Sequence, residues 1–85
     1  MRIRLLYLAR LREALGTNSE DADLPDSVKD VAGLTEWLGA RGGAWTIELA
    51  AGRAYRVAVN QEMANAQTRL SEGAEVAIFP PVTGG

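Results

Sequence analysis

Neither cysteine nor histidine occurs in the 85 residues, and the two absences remove most of the chemistry a small domain could host. Without cysteine there is no disulfide framework, no thiolate nucleophile and no Cys-based metal site. Without histidine the commonest general base and the commonest metal ligand are gone. Lysine is nearly absent too: eight of the nine basic residues are arginine and only Lys29 is lysine. The formal charge of −2 leaves no electrostatic footprint for nucleic acid or an anionic membrane. No apolar run approaches membrane-spanning length, and Met1-Arg2-Ile3-Arg4 opens straight into a strand-like pattern with no signal-peptide core. The expectation is a cytoplasmic protein with neither nucleic acid nor membrane as partner. The 47% hydrophobic content supports one small packed domain.

Along the chain, residues 2–8 alternate as a strand, with Arg2, Arg4, Leu6 and Leu8 on one face and Ile3, Leu5 and Tyr7 on the other. The arginines must reach water, so Ile3, Leu5 and Tyr7 are the expected core side. That leaves Leu6 and Leu8 outside, either covered by a helix or loop of this chain or offered to a partner. Residues 9–15 read as a short helix stopped by Gly16. Thr17–Asp26 is acidic and polar, with room for a short edge strand in which Asp21 and Asp23 alternate with Ala22 and Leu24. Ser27 is the expected N-cap of the main helix, with Asp30 three residues on in the place of a capping-box partner. Val28, Val31, Leu34 and Leu38 form its apolar stripe, Trp37 lies beside it, and Gly39, Gly42 and Gly43 end it. A short piece over Ala44–Ala50, a turn at Ala51-Gly52-Arg53 and a strand over Tyr55–Asn60 follow. Asn60-Gln61 turns the chain, Leu70 anchors a loop, and Ser71-Glu72-Gly73 leads into a last strand, Glu75–Phe79.

Strand, helix, edge strand, long helix, strand, strand is the order of a ubiquitin-like β-grasp, an α+β fold. Its first and last strands lie parallel, and the main helix packs across one face of a mixed sheet. Residues 1–79 would form that domain. In such a pairing Leu6, Leu8 and Phe79 share the outer face, close to where the chain leaves the sheet.

What leaves is Pro80-Pro81-Val82-Thr83-Gly84-Gly85, expected to be an extended C-terminal tail. The prolines fix φ and withdraw two backbone donors, so strand pairing has to stop. Phe79, held extended by the proline after it, aims the tail outward. Two terminal glycines carry no Cβ and fit a channel closed to any other residue pair. Fully extended, the tail reaches roughly 20 Å at about 3.3–3.6 Å per residue.

No other motif supplies chemistry. Glu20, Asp21, Asp23 and Asp26 read as a solvated acidic loop, and Trp37 and Trp45 as core or near-core residues. The glycines at 39, 42 and 43 end a helix rather than follow a strand, which is the wrong setting for a phosphate cradle. The domain is therefore not expected to be catalytic alone, nor to bind a cofactor or metal. Its tail can instead be a reactant. A carboxylate is a poor electrophile until ATP converts it to an acyl-adenylate, and a sulfur or nitrogen nucleophile can then displace AMP. A separate activating enzyme must supply that step.

The run from Glu75 through Phe79 into the PPVTGG ending of residues 80–85 resembles the C-terminus of the small, sulfur-carrying subunits of molybdopterin synthases. The resemblance extends to Val59-Asn60-Gln61 and to the first strand followed by Arg12-Glu13 and Gly16-Thr17, while Ile78 stands where that family is expected to carry an aromatic residue. It implies that an adenylyltransferase activates the Gly85 carboxylate with ATP and that sulfur transfer makes it a thiocarboxylate. The tail, Gly84 and Gly85 foremost, then enters a large subunit and passes sulfur to cyclic pyranopterin monophosphate, forming the molybdopterin dithiolene. It implies a heterotetramer, with Leu8 and Phe79 at positions that contact the large subunit and Leu6, Pro80, Pro81, Val82 and Thr83 on the same partner-binding side. The alternatives are a Gly-Gly sulfur carrier for thiamine or tRNA thiolation, a ubiquitin-like protein modifier, and a plain β-grasp binding module.

Overall fold

The computed structural model describes residues 1–49 and 55–81. Among the described residues eight elements follow one another: β1 (Arg2–Tyr7), α1 (Arg10–Leu15), β2 (Ser19–Asp23), α2 (Val31–Gly39), α3 (Ala44–Leu49), β3 (Arg56–Val59), β4 (Glu62–Met63) and β5 (Glu75–Phe79). The five strands make one sheet in the order β2-β1-β5-β3-β4. Only the central pair, β1 and β5, is parallel; the other three pairings are antiparallel. This is the expected ubiquitin-like β-grasp.

Period-two alternation decides which side of the sheet is dry. Ile3, Leu5 and Tyr7 of β1, Val76 and Ile78 of β5 and Val57 of β3 are buried. They meet Leu34 and Leu38 of α2, both at 0% exposure, and Leu11 of α1. Each such aliphatic side chain contributes about 1.5–3 kcal/mol by leaving water. The short edge strand for which Thr17–Asp26 had room forms as β2, with Ala22 the inward residue.

Several expectations are corrected. The main helix starts at Val31, not after Ser27. Residues 25–28 form a turn closed by the Val28 N–H on the Pro25 carbonyl (2.9 Å), and Asp30 is the N-cap. Its Oδ1 accepts from the Gly33 N–H at 2.8 Å. Two further N–H groups of the first turn, those of Val31 and Ala32, are taken by the carbonyls of Thr68 and Ala66 at 3.0 and 2.9 Å. A sequence-local capping rule cannot see those distant carbonyls. The short helix begins at Arg10 because Ala9 stands at φ 54°, ψ −133°, outside the helical region. Its expected stop holds: Gly16 adopts φ 75° and its N–H bonds back to the Arg12 carbonyl at 3.1 Å.

The Asn60-Gln61 turn is tighter than its sequence suggests. Both residues have positive φ, 50° and 70°, so two residues close a hairpin onto β4, a strand absent from the sequence reading. Asn60 accommodates that geometry and ties it to β5, its Oδ1 accepting from the Glu75 N–H at 2.9 Å. The expected turn at 51–53 lies outside the described residues, as do Val82, Thr83, Gly84 and Gly85 of the tail.

Candidate functional site: the outer sheet face at the root of the tail

The side of the sheet away from α2 carries the even-numbered residues of β1 and β3 and the odd-numbered ones of β5. In register, Leu6 lies beside Ala77, and Ala77 beside Ala58, which is paired with Met63. One row further toward the tail, Phe79 is paired with Arg56. Leu8 joins that row from β1, its N–H donating to the Ile78 carbonyl at 3.1 Å. These two rows form an apolar band at the end of the sheet where the chain departs. The opposite end of the same face is charged, with Arg2 paired to Asp23 and Arg4 to Asp21, both at 3.4 Å.

Leu6 and Phe79 are half-buried, while Leu8 keeps 44% of its surface in water and Met63 60%. Leu6, Leu8 and Phe79 are thus brought together. Pro80 and Pro81 follow directly, both half-buried, and Pro81 lines a groove of about 400 Å³ beside β3, β4 and the start of α2. Met63 belongs to the band but is missing from the sequence reading. Its signal is an apolar residue two positions past the Asn-Gln turn, which gains meaning only once the hairpin is known.

From the core side, a polar cluster holds the end of β1 in place. Arg41 donates two hydrogen bonds to Glu20, Nη1 to Oε2 at 2.8 Å and Nη2 to Oε1 at 2.9 Å. The Tyr7 hydroxyl donates to Glu20 Oε2 at 2.8 Å. The Arg41 guanidinium stacks on both indoles, 4.5 Å from the Trp45 ring centre and 5.0 Å from that of Trp37. Tyr7 meets Trp45 edge-to-face with centroids 5.3 Å apart. The acidic stretch is a solvated loop only at Asp26, which is exposed in the 25–28 turn. Glu20, Asp21 and Asp23 sit on β2, each with an arginine partner. Trp37 lies on α2, Trp45 on α3 and Arg41 in the connection between them, so the cluster comes together only in the fold.

Hydrogen bonding from Arg41, more than any other influence, holds the Glu20 carboxyl below its ordinary value of 4.5. Burial, with the same carboxylate beside it, pushes the Tyr7 hydroxyl far up, so it stays neutral. Because the folded-state value of Glu20 is depressed, its contribution to stability is present above about pH 4.5 and is lost as pH falls through the folded value. Glu20→Gln is expected to lower unfolding free energy at neutral pH by about 1.5–3 kcal/mol, the range for hydrogen bonds to a charged group. Urea unfolding of wild type and variant across the acid range checks this: the gap should close below the folded value, and a gap independent of pH would refute the assignment.

Among the described residues no three metal-ligating side chains cluster, and no helix is long and apolar enough to cross a membrane. The fold and the band at its open end define a β-grasp domain whose central strand, β5, runs into Pro80 and Pro81 beside an exposed apolar surface. Residues 5–85 match the ThiS family, and the chain belongs to it. It is 38% identical over 85 residues to the molybdopterin synthase sulfur carrier subunit of Escherichia coli (strain K12), covering 98% of this chain and 99% of that protein. Among solved structures it superposes on SAMP1 from Haloferax volcanii with a TM-score of 0.81 at 24% identity, each chain fully covered. It also resembles a chain of the complex of subunits 1 and 2 of the molybdopterin-converting factor from Helicobacter pylori 26695, with a TM-score of 0.67, 19% identity and full coverage of both. At those identities the two solved structures speak to the fold.

Proposed function

We propose that this chain is the sulfur-carrier subunit of a molybdopterin synthase, acting in the cytoplasm. In this reading residues 80–85 are a working tail on a folded domain of residues 1–79. An activating enzyme uses ATP to adenylate the Gly85 carboxylate, releasing pyrophosphate; a sulfur donor then displaces AMP and leaves a thiocarboxylate. The tail enters the large subunit, and the terminal sulfur passes to cyclic pyranopterin monophosphate as the dithiolene is built. The observation that carries the reading is the departure of the chain from the middle of the sheet beside two exposed apolar rows. It is supported by the full-length match to the Escherichia coli sulfur carrier.

Each part of the chain has a task in this reading. Pro80 and Pro81 end the ladder and stiffen the root of the tail. Val82 and Thr83 line the channel wall, while Gly84 and Gly85 pass its narrowest part. Leu6, Leu8 and Phe79, with Met63 beside them, dock the large subunit, excluding water around the tail.

Intact-mass measurement tests it directly. After incubation with the activating enzyme, ATP and a sulfur donor, the chain should gain the mass of one oxygen-to-sulfur exchange. It should return to its starting mass when the large subunit and the pterin precursor are added. Conjugates to lysines of other proteins without that exchange would overturn the carrier reading in favour of a modifier. Exchange without discharge to the pterin would assign the carrier to another thiolation reaction.

A further inference from the structure

The arginines of the outer face are not alike. Arg2 and Arg4, at its far end, each have an aspartate of β2 as partner. Arg56 stands in the apolar row, directly paired with Phe79, is exposed, and has no ion pair or side-chain hydrogen bond among the described residues. Along β3 and β5 the next carboxylate on this face is that of Glu75, four residues before Phe79, about 13 Å away at the rise of a strand. Arg56 also borders the groove that Pro81 lines, so it sits between the band and the root of the tail.

A surface that covers Phe79 must come within one strand spacing, about 4.8 Å, of the backbone carrying Arg56. Burying a guanidinium with no counter-charge is costly, and arginine forms its best contacts as a planar fork on a carboxylate. We propose that Arg56 is a specificity-determining contact of this face and receives a carboxylate from the large-subunit surface that covers Phe79 and takes the tail. The apolar rows supply the contact area, which many surfaces could match; Arg56 selects the one that presents an acid beside the channel mouth. This inference rests on the reading of the outer face as the docking surface.

The test is calorimetric titration of the full chain with the purified large subunit of molybdopterin synthase from the same source. Wild type is compared with Arg56→Met, Arg56→Glu, Phe79→Ala and, as a remote charge control, Arg69→Glu. Arg56→Met keeps the side-chain bulk of an exposed strand position, and thermal unfolding of each variant confirms that it folds. The expected losses of affinity are about 10-fold for Arg56→Met and about 100-fold or more for Arg56→Glu, with a weaker salt dependence in both. Arg69→Glu should leave affinity as it is. Wild-type affinity in both Arg56 variants, with Phe79→Ala weakened, overturns the carboxylate contact and leaves the docking surface standing. Unchanged affinity in Phe79→Ala as well removes the docking surface and the contact together. Equal losses in Arg56→Glu and Arg69→Glu replace a specific contact with general attraction, which also overturns the proposal.

Discussion

A chain lacking only Gly85 should fold as the full chain does and transfer no sulfur. In the proposed mechanism the reacting atom is the last carbonyl carbon, and deleting one residue draws it back by about 3.3–3.6 Å. Displacement of a reacting group by even 1 Å commonly costs on the order of 100-fold in rate, so the truncated tail is expected to fall below detection. Among the described residues the β5 ladder ends at Phe79 and the core draws on positions from Ile3 to Ile78, so the fold is expected not to depend on Gly85. Thermal unfolding should therefore be unchanged while single-turnover transfer with the large subunit disappears. Transfer at the full rate by the truncated chain would refute the tail mechanism.

Phe79→Ala and Leu8→Asp should uncouple binding from folding. Both residues lie on the outer face, one half-buried and one largely exposed, so truncating them opens no cavity among the fully buried side chains. In a docked complex they become the centre of a dry contact, where losing an aromatic anchor costs about 2 kcal/mol or more, some 30-fold in affinity. Leu8→Asp should cost more, because it places a carboxylate without a partner in that contact. The measurement is affinity for the large subunit beside urea unfolding of each free variant. Affinity like wild type in both would return Leu8 and Phe79 to the status of ordinary surface residues.

The parts of this molecule that were legible in its sequence are those where neighbours along the chain decide the outcome. Alternation in β1 and β5 named the buried and outer faces correctly, and parallel pairing of those two strands followed from the element order. Gly16 stopped its helix as a glycine in the left-handed region does. The illegible parts depend on distant residues. Asp30 rather than Ser27 caps α2 because carbonyls of residues 66 and 68 complete the cap. Glu20 is clamped because Arg41, 21 residues away, folds over it between two indoles. Met63 joins the apolar band only because two consecutive positive-φ residues close a hairpin. The outer band was half legible for the same reason: Leu6, Leu8 and Phe79 could be placed by alternation, and Met63 and Arg56 only by register.

The central position of β5 also has a mechanical side. The strand that leads into the tail is bonded on both flanks, in parallel to β1 and antiparallel to β3, over nearly its whole length. Tension applied along the tail would run parallel to β5 and across its hydrogen bonds, loading both ladders in shear at once instead of opening them one bond after another. An edge strand in the same place would peel. In the proposed function, a partner enzyme that grips the tail, draws it straight and releases it repeatedly would leave the domain behind it folded as a rigid handle.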